Sequence, residues 1–160
     1  MIIFKLTAQI ASAILIFVAS TFVTLYEGSS IVDDPWEWIY STPFSHFFIG
    51  EVNQASDISK FDYFVYAAKF YPTYPIIMLS STIYLSVLLG LIISKIKKRM
   101  STVYFGVLSF IMFIMAIVLR NASTNGGEAI FFLILMYGII LLAFTFIKYI
   151  RSLKLNKINT

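Results

Sequence analysis

Residues 6–25, 75–94, 102–119 and 129–147 contain no Asp, Glu, Lys or Arg. A helix rises 1.5 Å per residue, so roughly 30 Å of bilayer hydrocarbon takes about 20 residues. All four runs reach or approach that length. Inside lipid, backbone N–H and C=O groups find no water and must pair within their own segment, which a helix achieves. A transmembrane β-barrel would need short alternating segments, and none occurs here. The expectation is an all-α integral membrane protein: a four-transmembrane-helix bundle forming one membrane domain over 1–160. Composition agrees, with 12% charged residues and a mean hydropathy of +0.87. Soluble domains carry about 25% charged residues.

The first run passes the small-residue stretch "VAS" at 18–20 and continues to Leu25. It is longer than the apolar core of a signal peptide, so it is expected to be a retained span.

Charge sets the predicted topology. Lys5, then Lys95, Lys97, Lys98 and Arg99, then Lys148, Arg151, Lys154 and Lys157 fall on one side, with no acid among them. The other side holds Glu27, Asp33, Asp34, Glu37, Glu51, Asp57, Asp62 and Glu128, with Lys60, Lys69 and Arg120. Basic loops stay in the cytoplasm, so both termini are expected inside a cell membrane. The net charge of +4 then reflects cations at helix ends, where anionic headgroups attract them, and not a nucleic-acid surface. The chain has no cysteine. That excludes thiol redox chemistry of the four-helix, quinone-coupled kind, and Cys-type zinc sites.

Between the first two spans lies a long extracytoplasmic segment, about 26–74, too long to be a bare loop. Its centre reads "DDPWEWIYSTPFSHFF" (33–48) and holds both tryptophans and the single histidine of the chain. "DPWE" predicts a helix start, with Asp34 as N-cap, Pro35 at the first position and Glu37 reaching back. Thr42 and Pro43 repeat the pattern, and Gly50 is placed to end that second short helix. From about Asp57 to Tyr71, Ile58, Phe61, Val65 and Ala68 fall near one face, with Lys60 and Asp62 flanking it, as on an interfacial helix. "NGG" at 125–127 reads as a turn between the last two spans. Thr82, Ser86 and Gly90 form a small-residue ridge suited to close helix packing, within the chain or against a second copy.

Three chemical readings compete for the outer segment. Asp33, Asp34, His46 and Glu51 offer carboxylate and imidazole, but their spacing matches no established metal motif, so no metal or other cofactor is expected. Glu27, at the lipid–water boundary, can serve as a base with Asp33, Asp34 or His46 in an outer-leaflet or envelope enzyme, although no complete triad or nucleophile elbow accompanies them. Trp36, Trp38, Tyr40 and Phe44 are instead the residue types that anchor protein interfaces and headgroup belts. Spans poor in ionisable groups argue against a proton-coupled carrier, while an oligomeric pore or a structural membrane protein is the remaining alternative.

The residues "LYEGSSIVDDPWEWIYSTPF" (25–44) resemble the YjdJ-like group of small uncharacterised bacterial membrane proteins. In that group a helix ends in a Tyr-Glu-Gly-Ser-like stretch and a Trp-containing outer segment follows. The resemblance covers roughly the first third of the chain. It implies a bacterial multi-pass membrane protein and carries over no catalytic residue. The leading expectation is a non-enzymatic accessory or regulatory protein, whose partners are the lipid bilayer and another membrane or envelope protein.

Overall fold

A computed structural model of the chain describes residues 2–158, with side chains for 4–97 and 99–151. The described residues contain helices and no β-strand. Four segments are long and apolar enough to cross a membrane: Phe4–Asp33, Thr73–Ile96, Arg99–Leu119 and Asn125–Arg151. Each extends beyond the uncharged run that predicts it, because helical hydrogen bonding continues past the charged residue that bounds the run. The fold divides into two compact units, residues 1–82 with 123–130, and residues 83–122 with 131–160.

The first unit begins with α1 (Ile2–Gly28). Apolar side chains such as Leu15 and Phe22 point outward along it, a surface suited to acyl chains rather than water. At its C-terminal end the helix tightens into a 3-10 turn, Ser29–Asp33. Ser29 Oγ donates to Tyr26 O at 2.7 Å, and Ser30 Oγ donates to Glu27 O. Such back-bonding competes with the α-helical ladder.

Proline then punctuates the chain. Asp34, Thr42 and Tyr71 each leave helical geometry (ψ 76°, 51° and 60°) immediately before Pro35, Pro43 and Pro72. The proline ring disfavours helical geometry in the residue before it. The result is a string of short elements: a 3-10 turn at Pro35–Glu37, α2 (Trp38–Ser41), α3 (Pro43–Phe48), a 3-10 turn at Ala55–Asp57 and α4 (Lys60–Phe70). Gly50, at φ 96°, follows the end of α3, where its N–H donates to His46 O at 3.2 Å. The missing Cβ permits that left-handed geometry.

α1 packs along α4. At Gly28 the backbones are so close that a Cβ would lie 2.0 Å from Tyr63 O. Ile31, Ile58 and Tyr66 form a small core within the segment between α1 and α5, with Val32, Trp38, Val52 and Tyr63 packed against it. The buried face of α4 is therefore Asp62, Tyr66 and Ala67, while Phe61 is exposed. Ile58 is buried as expected, but Phe61 is not, and Asp62 moves from the flank to the interior.

α5 (Thr73–Ile96) and α7 (Asn125–Ile158) contribute to both units. "NGG" is the first turn of α7 rather than a loop. Thr124 starts the helix, with Gly127 N–H donating to its Oγ1 at 3.2 Å. Gly126 lies against α4, where a Cβ would come within 2.3 Å of Ala68 O.

In the second unit, α6 (Lys98–Leu119) follows α5 after a single extended residue, Lys97. Ser86 and Gly90 of the small-residue ridge meet α6. Ser86 O accepts from Tyr104 Oη at 3.0 Å, and Gly90 lies against the rings of Phe105 and Tyr104. Thr82 is exposed on α5, with Oγ1 donating to Met78 O at 2.9 Å. Ser101 Oγ donates to Gly90 O and Ser109 Oγ donates to Gly138 O, both at 2.9 Å. Hydroxyl-to-carbonyl bonds between helices are a common means of association where lipid supplies no hydrophobic drive. Lys148 Nζ donates to Ser94 Oγ at 2.9 Å and to Ser101 Oγ at 2.7 Å, and it lies over the Phe105 and Phe144 rings.

Candidate functional site: an aromatic cap braced by Asp34, Glu37 and Asp62

The segment between α1 and α5, the cap, is held together by its charged groups. Asp62, fully buried, stands in the first turn of α4. Its Oδ1 accepts from Phe44 N–H and its Oδ2 from Ser45 N–H, both at 2.9 Å. Ser45 Oγ also donates to Oδ2 and accepts from Ser59 N–H at 2.7 Å. A carboxylate from α4 thus satisfies the orphan N–H groups at the start of α3, which sequence assigns to Thr42. The Thr42 hydroxyl donates instead to Trp38 O.

Asp34 and Glu37 likewise depart from the capping roles expected of them. Asp34 precedes the turn at Pro35 without a side-chain cap, and its Oδ2 accepts from Tyr66 Oη at 3.3 Å. Burial and the adjacent Asp34 carboxylate push the Tyr66 phenol up to about 12, since a phenolate there would lose solvation and face a like charge. Glu37 accepts from Ser41 Oγ at 2.6 Å and pairs with Lys69 at 3.6 Å. Lys69 Nζ also donates to Tyr40 O and Ser41 Oγ, each at 2.8 Å. Asp57 closes a capping box with Gln54, and the Gln54 side chain holds its carboxyl below the usual range.

The four candidate catalytic groups have different surroundings. Asp33 is exposed, and Asp34 is engaged by Tyr66. Glu27 Oε2 and His46 Nε2 are buried atoms without a hydrogen-bond partner, as is Thr24 Oγ1 on α1. Among the described residues, no three His, Asp or Glu side chains come together as metal ligands.

The aromatic residues divide. Trp38 is built into the cap core, with Nε1 donating to Ile31 O at 2.8 Å. Trp36 is 87% exposed and Tyr40 71%. Phe44 is partly covered by Phe61, with ring centroids 5.7 Å apart. Phe47, 83% exposed, meets Phe48 edge to face. Ile39, Phe47 and Phe48 join the exposed set although sequence reading did not single them out. Their signal is a run of apolar residues inside a segment otherwise rich in acids and hydroxyls.

Of the predicted topology residues, Lys95, Lys97 and Arg99 are exposed around the α5–α6 break. The side chain of Lys98 lies outside the described residues.

Residues 7–94 match the family described as a domain of unknown function, DUF4306. The chain belongs to that family. The matched residues take in nearly all of α1, the whole cap and almost all of α5, so the cap is part of what the family shares; α6 and α7 lie beyond the match. The uncharacterized protein YjdJ of Bacillus subtilis (strain 168) is 33% identical over 94 residues, covering 58% of this chain and 86% of the relative. This extends the YjdJ-like resemblance well past residue 44. No solved structure matches the chain.

Proposed function

We propose that this chain is a non-enzymatic accessory protein of the cell membrane, which docks another membrane or envelope protein on the rim of its extracytoplasmic cap. Both termini face the cytoplasm in this reading, which rests on the basic residues of the α5–α6 break and the C-terminal end. One observation carries the docking role. The cap holds Asp34, Glu37, Asp62 and Lys69 in internal bonds while Trp36, Tyr40 and Phe47 project outward. Large aromatic side chains on a rigid base are the residues that dominate interface energetics.

Crosslinking in native membranes with mass spectrometry tests this. Trp36→Ala should lower the yield of a discrete crosslinked complex by roughly tenfold or more. Absence of any crosslinked protein partner in the wild type would overturn the reading.

The envelope-enzyme reading has one observation in its favour, the buried and unpartnered Glu27 Oε2 and His46 Nε2. Buried polar atoms without partners are uncommon and recur at reactive sites. Glu27→Gln and His46→Ala should then each abolish the phenotype of the intact gene in a folded, inserted protein. A phenotype retained in both variants would remove this reading.

A further inference from the structure

Around the basic α5–α6 break, the second unit carries an open cleft of about 690 Å³. Its wall is almost wholly apolar, formed by Ile93 of α5 with Met100, Val103 and Tyr104 of α6, and Lys97 and Arg99 complete the lining. Lys97, in extended geometry (φ −141°, ψ 103°), is the single residue between the two helices. Tyr104 Oη is held by Ser86 O, so its ring stays fixed against the wall.

These two cations have no side-chain carboxylate near them in sequence to pair with. No acid occurs between Asp62 and Glu128, and none follows Glu128. Among the described residues, neither Lys97 nor Arg99 forms an ion pair, so both are open to an anion from outside. The wall sets the second requirement, since a small free anion would leave the apolar surface uncovered. A cleft of this volume accommodates a drug-sized or larger ligand.

We propose that this cleft binds one anionic glycerophospholipid, its phosphate between Lys97 and Arg99 and an acyl chain along Ile93, Met100, Val103 and Tyr104. Basic residues at helix ends attract anionic lipid headgroups through charge, and the groove supplies selectivity for a lipid over a soluble anion. The site shares no residue with the cap and does not depend on the docking role given to it.

Native mass spectrometry of the full chain in detergent tests the proposal, with titrations of dioleoylphosphatidylglycerol, dioleoylphosphatidylcholine and inorganic phosphate. The wild type should retain one phosphatidylglycerol at concentrations well below those needed for phosphatidylcholine. Lys97→Gln with Arg99→Gln should weaken phosphatidylglycerol binding roughly ten- to thirtyfold, at about fivefold per cation. Val103→Trp, which fills the groove without altering charge, should weaken both lipids. Lys95→Gln, outside the cleft, should change neither. Circular dichroism confirms helical content in each variant. Equal retention of the two lipids would overturn the proposal. So would an unchanged preference in the double variant, an equal loss in Lys95→Gln, or displacement of the lipid by inorganic phosphate.

Discussion

The backbone N–H and the hydroxyl of Ser45 both donate to Oδ2 of Asp62, the N–H at 2.9 Å. This contact joins α3, which carries the exposed Phe47, to α4 across the intervening loop. Asp62→Ala would leave Phe44 N–H and Ser45 N–H without their acceptor. The expected cost to the cap is about 2–4 kcal/mol, since charge-assisted bonds and buried unsatisfied donors each carry about 1–3 kcal/mol. Limited proteolysis in detergent should show the segment between α3 and α4 cleaved much faster than in the wild type. Asp62→Asn keeps the shape and should show a smaller effect.

Gly28 sits where α1 and α4 touch backbone to backbone. Gly28→Ala would put a methyl group 2.0 Å from Tyr63 O, so the helices must separate. Overpacking of this kind costs about 1–3 kcal/mol. Gly50→Ala provides a contrast, because no atom lies within 4 Å and only the φ of 96° resists. That strain is about 1–2 kcal/mol and purely local. Thermal unfolding followed by circular dichroism should rank Gly28→Ala below the wild type. Crosslinks between α1 and α4 should be lost in Gly28→Ala and retained in Gly50→Ala.

Tyr66 gives the cap an alkaline limit. Its phenol is raised from 10.0 to about 12 in the fold, so the folded state favours the protonated form. The associated stability is fully present below about pH 10 and is lost as pH climbs towards 12. Tyr66→Phe removes the titrating group and should flatten cap stability between those values. Tyrosinate absorbance, compared between wild type and variant, reports the late-titrating hydroxyl.

The α5 ridge distinguishes a packed position from an exposed one. Gly90→Leu would drive a side chain into Phe105, where even a Cβ at that glycine would stand 2.4 Å from a ring carbon. Phe105 is fully buried and packs edge to face on Phe144, so it has little room to yield. The expected destabilisation is about 1–3 kcal/mol. Thr82→Leu should leave the α5–α6 contact unchanged. Cysteine crosslinking between α5 and α6 reads the difference.

The four membrane-length helices were legible because the runs 6–25, 75–94, 102–119 and 129–147 lack charge altogether. Pro35 and Pro43 likewise marked real helix starts. The groups that stabilise those starts were hidden. Asp62 reaches its acceptor role from 17 and 18 residues away in sequence, and no local pattern encodes that distance. Thr42 and Glu37 have locally favourable capping positions, yet other partners claim both side chains. The buried face of α4 is hidden from local sequence for the same reason. Its apolar pattern is weak, and an acid occupies the interior because α3 supplies three donors to it. At 125–127, turn-forming residues lie within a helix, since Thr124 caps it and Gly126 fits closely against α4.

The proposed docking role sets a partner protein against the exposed rim of the cap. A photo-crosslinking amino acid placed at Trp36 in living cells tests it most directly, with the same probe at exposed Lys95 as the comparison. A discrete protein adduct at position 36 that is absent at position 95 is the predicted result. Adducts to lipid alone at position 36, or the same protein adducts at both positions, would contradict it.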